Sequence, residues 1–241
     1  MKLSSDKQKF IKRIIPPLVG IVLVLLFMRL GFWQLDRAKE KIALQQSFDS
    51  PPRYVQVHED LRPKRFVAIE SRGQFLGDRQ ILIENAILDG ALGYYVITPF
   101  EFDAYGPLLL VNRGWVRRSA GNQELPDIAL DATAGLIRGK AGALPRVGIR
   151  PGEAFTDHSS WPRVGVWPTA DEIALEIERD VLPYVLLLNA DEESGFVRQW
   201  KPPQTGTSTH YGYAFQWFAM ALALFGLMVW NFRKSTLKNN D

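Results

Sequence analysis

Residues 211–230 run for twenty positions without a charged side chain. A helix of that length is about enough to cross a ~30 Å hydrocarbon core, and in lipid a helix satisfies its own backbone hydrogen bonds. This stretch limits the fold more than any other, because the rest of the chain becomes a domain hung from a membrane span. Arg233, Lys234 and Lys238 follow it, a basic flank of the kind retained in the cytoplasm. His210 precedes it and is predicted at the opposite membrane face.

A second apolar stretch lies near the other end. Residues 14–28 are apolar apart from Gly20 and the pair Pro16 and Pro17, which reads as the opening of a helix; residues 30–35 continue it past Arg29. Lys2, Lys7, Lys9, Lys12 and Arg13 stand before it, opposed by Asp6. A basic head and a short apolar run also mark a signal peptide, but no small-x-small cleavage site follows, so an uncleaved anchor is expected. Phe32 and Trp33 are placed at the outer interface. The expected division is a basic cytoplasmic N-terminus (1–13), a first transmembrane helix (14–35), an external β-rich domain (36–209), a second transmembrane helix (210–230) and a basic cytoplasmic tail (231–241). Two spans put both basic ends on one side.

Composition narrows the function classes. In 241 residues, two spans leave room for one medium-sized domain. The formal charge is +3, with basic residues gathered at the termini, which argues for membrane lipid and against nucleic acid. Cysteine is absent, which removes disulfides, thiolate catalysis and every cysteine-based copper, zinc or iron–sulfur site.

Between the spans the hydrophobic period changes. A charged helical continuation from Asp36 to about Phe48 ends at Ser50, Pro51 and Pro52. Residues 65–75 and 79–85 then read as neighbouring strands joined at Gly77 and Asp78. Asp89 and Gly90 make a turn before a strand beginning at Gly93, and residues 105–107 turn the chain into residues 108–116. Residues 134–143 fit a further strand. Thr169 and Glu172 have capping-box spacing ahead of Ile173 and Ile177, predicting one helix through Arg179. Pro183 is expected to close that segment before a buried strand from Tyr184. The fold class expected is a membrane protein with two transmembrane helices flanking a mainly antiparallel β (α+β) extracytoplasmic domain.

The side chains able to do chemistry are few. His58 and His158 stand in loop-like settings, and Asp157, His158, Ser159 and Ser160 resemble a catalytic triad only as a linear string. Asp191, Glu192 and Glu193 read as a solvated turn. Three scattered histidines do not make a protein-ligated metal site. These residues predict no enzyme, and a membrane-tethered hydrolase using His58 or His158 is the remote alternative. Arg113 and Trp115 are expected on one strand face, either as a structural cation–π pair or as a partner-binding feature.

The span ends carry the sharper features. Arg29, Trp33 and Arg37 recur every fourth residue and share a helix face. Arg29 either snorkels to the headgroups or faces the partner helix or a bound anion. His210, Tyr213, Ala214 and Trp217 form one stripe by the same spacing, and Gln216, on a neighbouring face, would prefer another helix to lipid. A histidine beside aromatics at a membrane rim suits either an inter-helix hydrogen bond or an axial haem ligand. In the second case Arg29 or Arg37 would meet the propionates.

Four blocks in order make the chain recognisable: Arg29 to Lys41, Gly93 to Phe100, Val111 to Val116, and His210 with Tyr213, Ala214, Trp217 and Phe218. The chain resembles the surfeit locus protein family, the membrane-anchored assembly factors for cytochrome c oxidase, over nearly its whole length; residues 132–195 match only in general character. The resemblance implies a non-catalytic helper that acts while haem a enters the oxidase's largest subunit, with transient haem a contact and His210 as the haem-linked residue. It implies structural or partner-facing roles for Gly31, Trp33, Arg113, Gly114 and Trp115. The partners implied are cytochrome c oxidase subunits and the enzymes of haem a synthesis. No presequence rich in Arg and Ser precedes the first span, which favours the bacterial inner membrane, with both termini cytoplasmic and the central domain periplasmic. Lack of cysteine agrees with haem handling rather than copper delivery. A scaffold that binds oxidase subunits without touching haem remains the alternative.

Overall fold

A computed structural model describes residues 5–119, 124–130, 132–145, 150, 152–193, 195–202 and 206–237, with the side chains of 5–13 and 235–237 excepted. Lys2, Lys238 and the side chains of Lys7, Lys9, Lys12 and Arg13, expected above as topogenic charges, lie outside that description. The chain divides into two compact units: Met1–Gln46 with Pro203–Asp241, and Ser47–Pro202.

The first unit holds two long helices, α1 (Ser5–Asp49, whose last turn belongs to the second unit) and α3 (Thr207–Leu237). Both are long and apolar enough to cross a membrane. Pro16 and Pro17 lie inside α1, not at its opening as expected. A proline ring removes one donor and so frees a carbonyl four residues earlier, but α1 continues through the pair in helical geometry and extends unbroken to Asp49. The helix α3 begins one turn before His210.

The second unit is a mixed sheet. Its strands are β1 (Val55–Gln56), β2 (Ala68–Phe75), β3 (Ile81–Leu88), β4 (Ala91–Glu101), β5 (Leu108–Arg117), β6 (Ala134–Gly142), β7 (Arg163–Gly165) and β8 (Val181–Leu188), with helix α2 (Ala170–Ile177) before the last. The order is β1-β2-β6-β8-β5-β4-β3-β7, and β2 also pairs with β4. Strands β2, β6, β8, β5 and β4 therefore close into a ring. Each of them feeds one apolar cluster, which includes Ile69, Phe100, Val111, Ile137 and Leu186. A second cluster forms around Leu82, Tyr94, Val96 and Ile128.

Three features depart from the antiparallel meander. The pairs β1·β2, β3·β7 and β5·β8 run parallel, so the sheet is mixed. Strands β2 and β3 are not neighbours. Residues 91–97 of β4 pair with β3, while Phe100 and Glu101 pair with β2, and β5 takes the opposite edge. The short turn at Gly77 and Asp78 thus passes the chain along one edge of β4 instead of folding it into a hairpin. Pro183 sits within β8, between Val181 and Val185, where the β5 register shifts and the β6 pairing has ended at Val185. An irregular position of this kind is where a residue without an N–H can sit in a strand.

Other local expectations match. Asp89 and Gly90, with φ of 49° and 78°, make a two-residue turn between Leu88 and Ala91, the left-handed pair that suits strand twist. Thr169 and Glu172 form a reciprocal capping box on α2, which ends at Ile177 with Glu178 as its left-handed cap. Ile173 and Ile177 are buried.

Candidate functional site

Within the first unit, contacts between α1 and α3 follow an antiparallel ladder. Gly20 lies against Met228, Phe27 against Trp217 with ring centroids 5.6 Å apart, and Phe32 edge-on to Phe218 at 5.2 Å. Gly31 meets the ring of Phe218 so closely that an added Cβ would lie 2.6 Å from it. At the end of the ladder His210 Nδ1 lies 2.8 Å from Gln34 Oε1. Both side chains are half-buried. In hydrocarbon, helices associate by close packing and inter-helix hydrogen bonds; here a glycine supplies the first and Gln34 with His210 the second.

The predicted stripes resolve onto different faces. Phe27, Gly31, Gln34 and Ala38 form the less exposed stripe of α1, whereas Arg29, Trp33 and Arg37 are exposed. Arg29 therefore does not face the partner helix. Arg37 lies over the Trp33 ring at 5.6 Å and donates to Glu40 at 2.7 Å. On α3, Ala214 is buried and Trp217 half-buried, but Tyr213 is 50% exposed. Gln216 is exposed as well, contrary to the expectation that it would prefer another helix. Gln34 was missed by sequence reasoning; its signal was an amide in an apolar run one turn from Gly31.

The motif on β5 belongs to the second unit. Arg113 is 1% exposed. Its guanidinium donates to Gln80 Oε1 at 2.7 Å, to the Ile128 carbonyl at 2.9 Å and to the Ala129 carbonyl at 3.1 Å, and lies over the Phe196 ring at 5.0 Å. Gln80 itself accepts from Thr98 at 2.9 Å and donates to Ile128 at 3.2 Å. A planar fork with several donors suits such a set of acceptors. Gly114 has φ of +117°, and β5 carries one more residue than β4 between Trp115 and Asn112, so Gly114 occupies a bulge that a Cβ would strain. That bulge breaks the simple alternation expected of Arg113 and Trp115. The Trp115 indole instead donates to the Ala86 carbonyl at 3.0 Å. Gln80, Ile128 and Phe196 gave no motif signal.

The triad-like string is a turn. Asp157 accepts from the Ser159 amide at 2.8 Å, and its hydrogen bonds from Ser159 hold its carboxyl below the usual range. His158, well exposed, pairs with Glu176 at 2.8 Å, and His58 is exposed. Among the described residues no group of three or more His, Cys, Asp or Glu side chains is placed to hold a bare metal ion.

A family model described as the SURF1 family matches residues 21–222. A SURF1-like protein of Rickettsia felis is 35% identical over 104 residues, 41% of this chain and 45% of that protein. An uncharacterized SURF1-like protein of Mycobacterium bovis is 30% identical over 111 residues, covering 42% and 41%. A SURF1-like protein of Monosiga brevicollis is 25% identical over 232 residues, 85% of this chain and 83% of that one. The aligned stretch spans less than half the length of the first two relatives, but the family model takes in both His210 and the Arg113 strand. The chain belongs to the SURF1 family.

Proposed function

We propose that this chain is a non-catalytic, membrane-anchored assembly factor for a haem–copper cytochrome c oxidase, assisting haem a insertion or stabilising the subunit that receives it. Family membership supports the oxidase context, since SURF1 proteins are known generally as oxidase assembly factors. The observation that carries the haem reading is the half-buried imidazole of His210 at the head of the helix pair, with the Phe27 and Trp217 rings packed together farther along the same pair.

Haem a is cargo in this reading. Its iron takes an axial nitrogen, which His210 would supply. The fit to the residues present is good on the apolar side, where rings line the pair, and uneven on the polar side. Arg29 is exposed and available to a propionate, while Arg37 already pairs with Glu40. The topology that accompanies this reading has both termini in the cytoplasm and the sheet domain in the periplasm, anchored in a bacterial inner membrane. Partners are oxidase subunits and the enzymes of haem a synthesis.

The scaffold alternative holds oxidase subunits through the β domain and the spans, and it predicts loss of function on disrupting Arg113 or Trp115. Both are buried, with bonds that stay inside the domain. In this proposal Arg113 holds the loop around residues 128–129 against β5 and Trp115 ties β5 to β3 at Ala86, rather than contacting a partner. Purified full-length protein from a host that makes haem a should show a haem spectrum that is lost or altered in His210→Ala, with the variant still folded in the membrane. Equal haem in both proteins would overturn the assignment of His210. No haem in either would favour the scaffold.

A further inference from the structure

We infer that Gln34 is a positioning residue for His210: its side-chain oxygen accepts the Nδ1 proton, fixes the imidazole tautomer, and leaves the Nε2 lone pair as the ligand atom. This rests on the reading of His210 as an axial ligand.

The argument begins with the donor inventory. A neutral imidazole has one N–H and one lone pair, and an amide oxygen only accepts. With Gln34 Oε1 2.8 Å from His210 Nδ1, the proton belongs on Nδ1 and the lone pair on Nε2. Metal-binding histidines share this arrangement, in which the non-ligating nitrogen donates to a fixed acceptor that orients the ring. Here the acceptor comes from the other helix, 176 residues away in sequence. Ring orientation is therefore set by the packing of α1 on α3. Gly31, one turn from Gln34 on the same stripe, admits the Phe218 ring that a Cβ would meet at 2.6 Å, which brings the two helices close enough for the bond to form.

The acceptor's chemistry bears on the cargo. A carboxylate in this position would raise the imidazole's donor strength. A neutral amide orients the ring without that increase, which suits a ligand that must release what it holds.

The test has a readout independent of haem. Full-length protein with ¹⁵N-labelled histidine, ligand-free in nanodiscs at alkaline pH, reports through two-bond ¹⁵N–¹H correlations which nitrogen of His210 carries the proton. The expected result is protonated Nδ1 and bare Nε2 in the wild type, with mixed tautomers in Gln34→Leu. Gln34→Glu, which when ionised can only accept, should keep the wild-type pattern. Titration with haem a should then show Gln34→Leu binding about 10- to 100-fold more weakly and Gln34→Glu at least as tightly as wild type. Protonated Nε2 in the wild type, or an unchanged tautomer in Gln34→Leu, overturns the inference. If Gln34→Leu fails to fold, the wild type and Gln34→Glu decide together: a proton on Nδ1 in both supports the assignment, and a bare Nδ1 in the wild type that becomes protonated in Gln34→Glu refutes it by showing that the amide N–H₂ faced the ring. Haem retained by His210→Ala would overturn the ligand reading alone, leaving the tautomer result to stand for Gln34.

Discussion

Replacing Arg113 by methionine or lysine separates two accounts of the β5 motif. If the guanidinium were there only for its charge, lysine would serve. The geometry asks for more, because the guanidinium donates at once to the Gln80 amide oxygen and to two backbone carbonyls, which takes a planar fork as well as a charge. Three hydrogen bonds from a charged donor contribute about 1.5–3 kcal/mol each, offset by several kcal/mol for desolvating the ion. Methionine removes both terms. Gln80 keeps its bond from Thr98, and Ile128 keeps its bond from Gln80, which limits the groups left unsatisfied. A net loss of about 2–4 kcal/mol follows. Lysine keeps the buried charge but is a compact point charge without the planar fork, so Arg113→Lys should be at least as destabilising as Arg113→Met. Hydrogen exchange of the β5 amides in the detergent-solubilised full chain reads this directly, as an acceleration of about 30- to 1,000-fold in each variant. Lysine exchanging like wild type while methionine exchanges fast would refute the argument, because it would show that charge alone matters.

Three further outcomes follow from local geometry. Hydrogen bonding to Arg150 brings the Glu172 carboxyl to about 2. Its contribution to stability is complete above the ordinary carboxyl value of 4.5 and is lost as pH falls toward about 2. The full shift corresponds to about 3 kcal/mol; with this side chain 32% exposed, solvent screening leaves about 1–2 kcal/mol, and Glu172→Gln should flatten acid denaturation in that window. Gly31→Ala should cost about 1–3 kcal/mol, because the Phe218 ring is held edge-on to Phe32. Gly20→Ala should cost under about 0.5 kcal/mol, because the atoms it meets belong to the flexible Met228 thioether; equal thermal shifts in detergent would contradict this. The Tyr184 hydroxyl is buried with no hydrogen-bond partner among the described residues, and burial pushes its pKa up to about 12. Tyr184→Phe should therefore stabilise the domain by about 1 kcal/mol, and a loss of that size in chemical denaturation would show an unseen partner.

Local chemistry was legible in the sequence wherever neighbours decide it. Asp89 and Gly90 specify a tight hairpin from their own backbone preferences, and Thr169 with Glu172 specifies a helix start from two reciprocal hydrogen bonds. Strand order was not legible in the same way. The turn at Gly77 and Asp78 permits a hairpin, but β4 is long enough to serve β3 with one half and β2 with its end. Ring closure settles the matter, since β2 finds a longer antiparallel partner in β6. Arg113 was visible as a charged residue in an apolar strand. Its acceptors were not, because two of them are backbone carbonyls, which every residue carries.

The same limit explains why the stripe of Arg29, Trp33 and Arg37 attracted attention while Gln34 did not. Helical spacing tells which residues share a face, and it says nothing about which face meets the partner. That choice depends on how near another helix can come. Trp33 and the two arginines are large and exposed, whereas Gly31 and Ala38, seven residues apart, are small and buried, and Gly31 admits the Phe218 ring of α3. The small residues thus select the stripe, and Gln34 stands midway between them. Once that face is chosen, the only question left at the head of the pair is what the amide meets, and the antiparallel ladder delivers His210 to it.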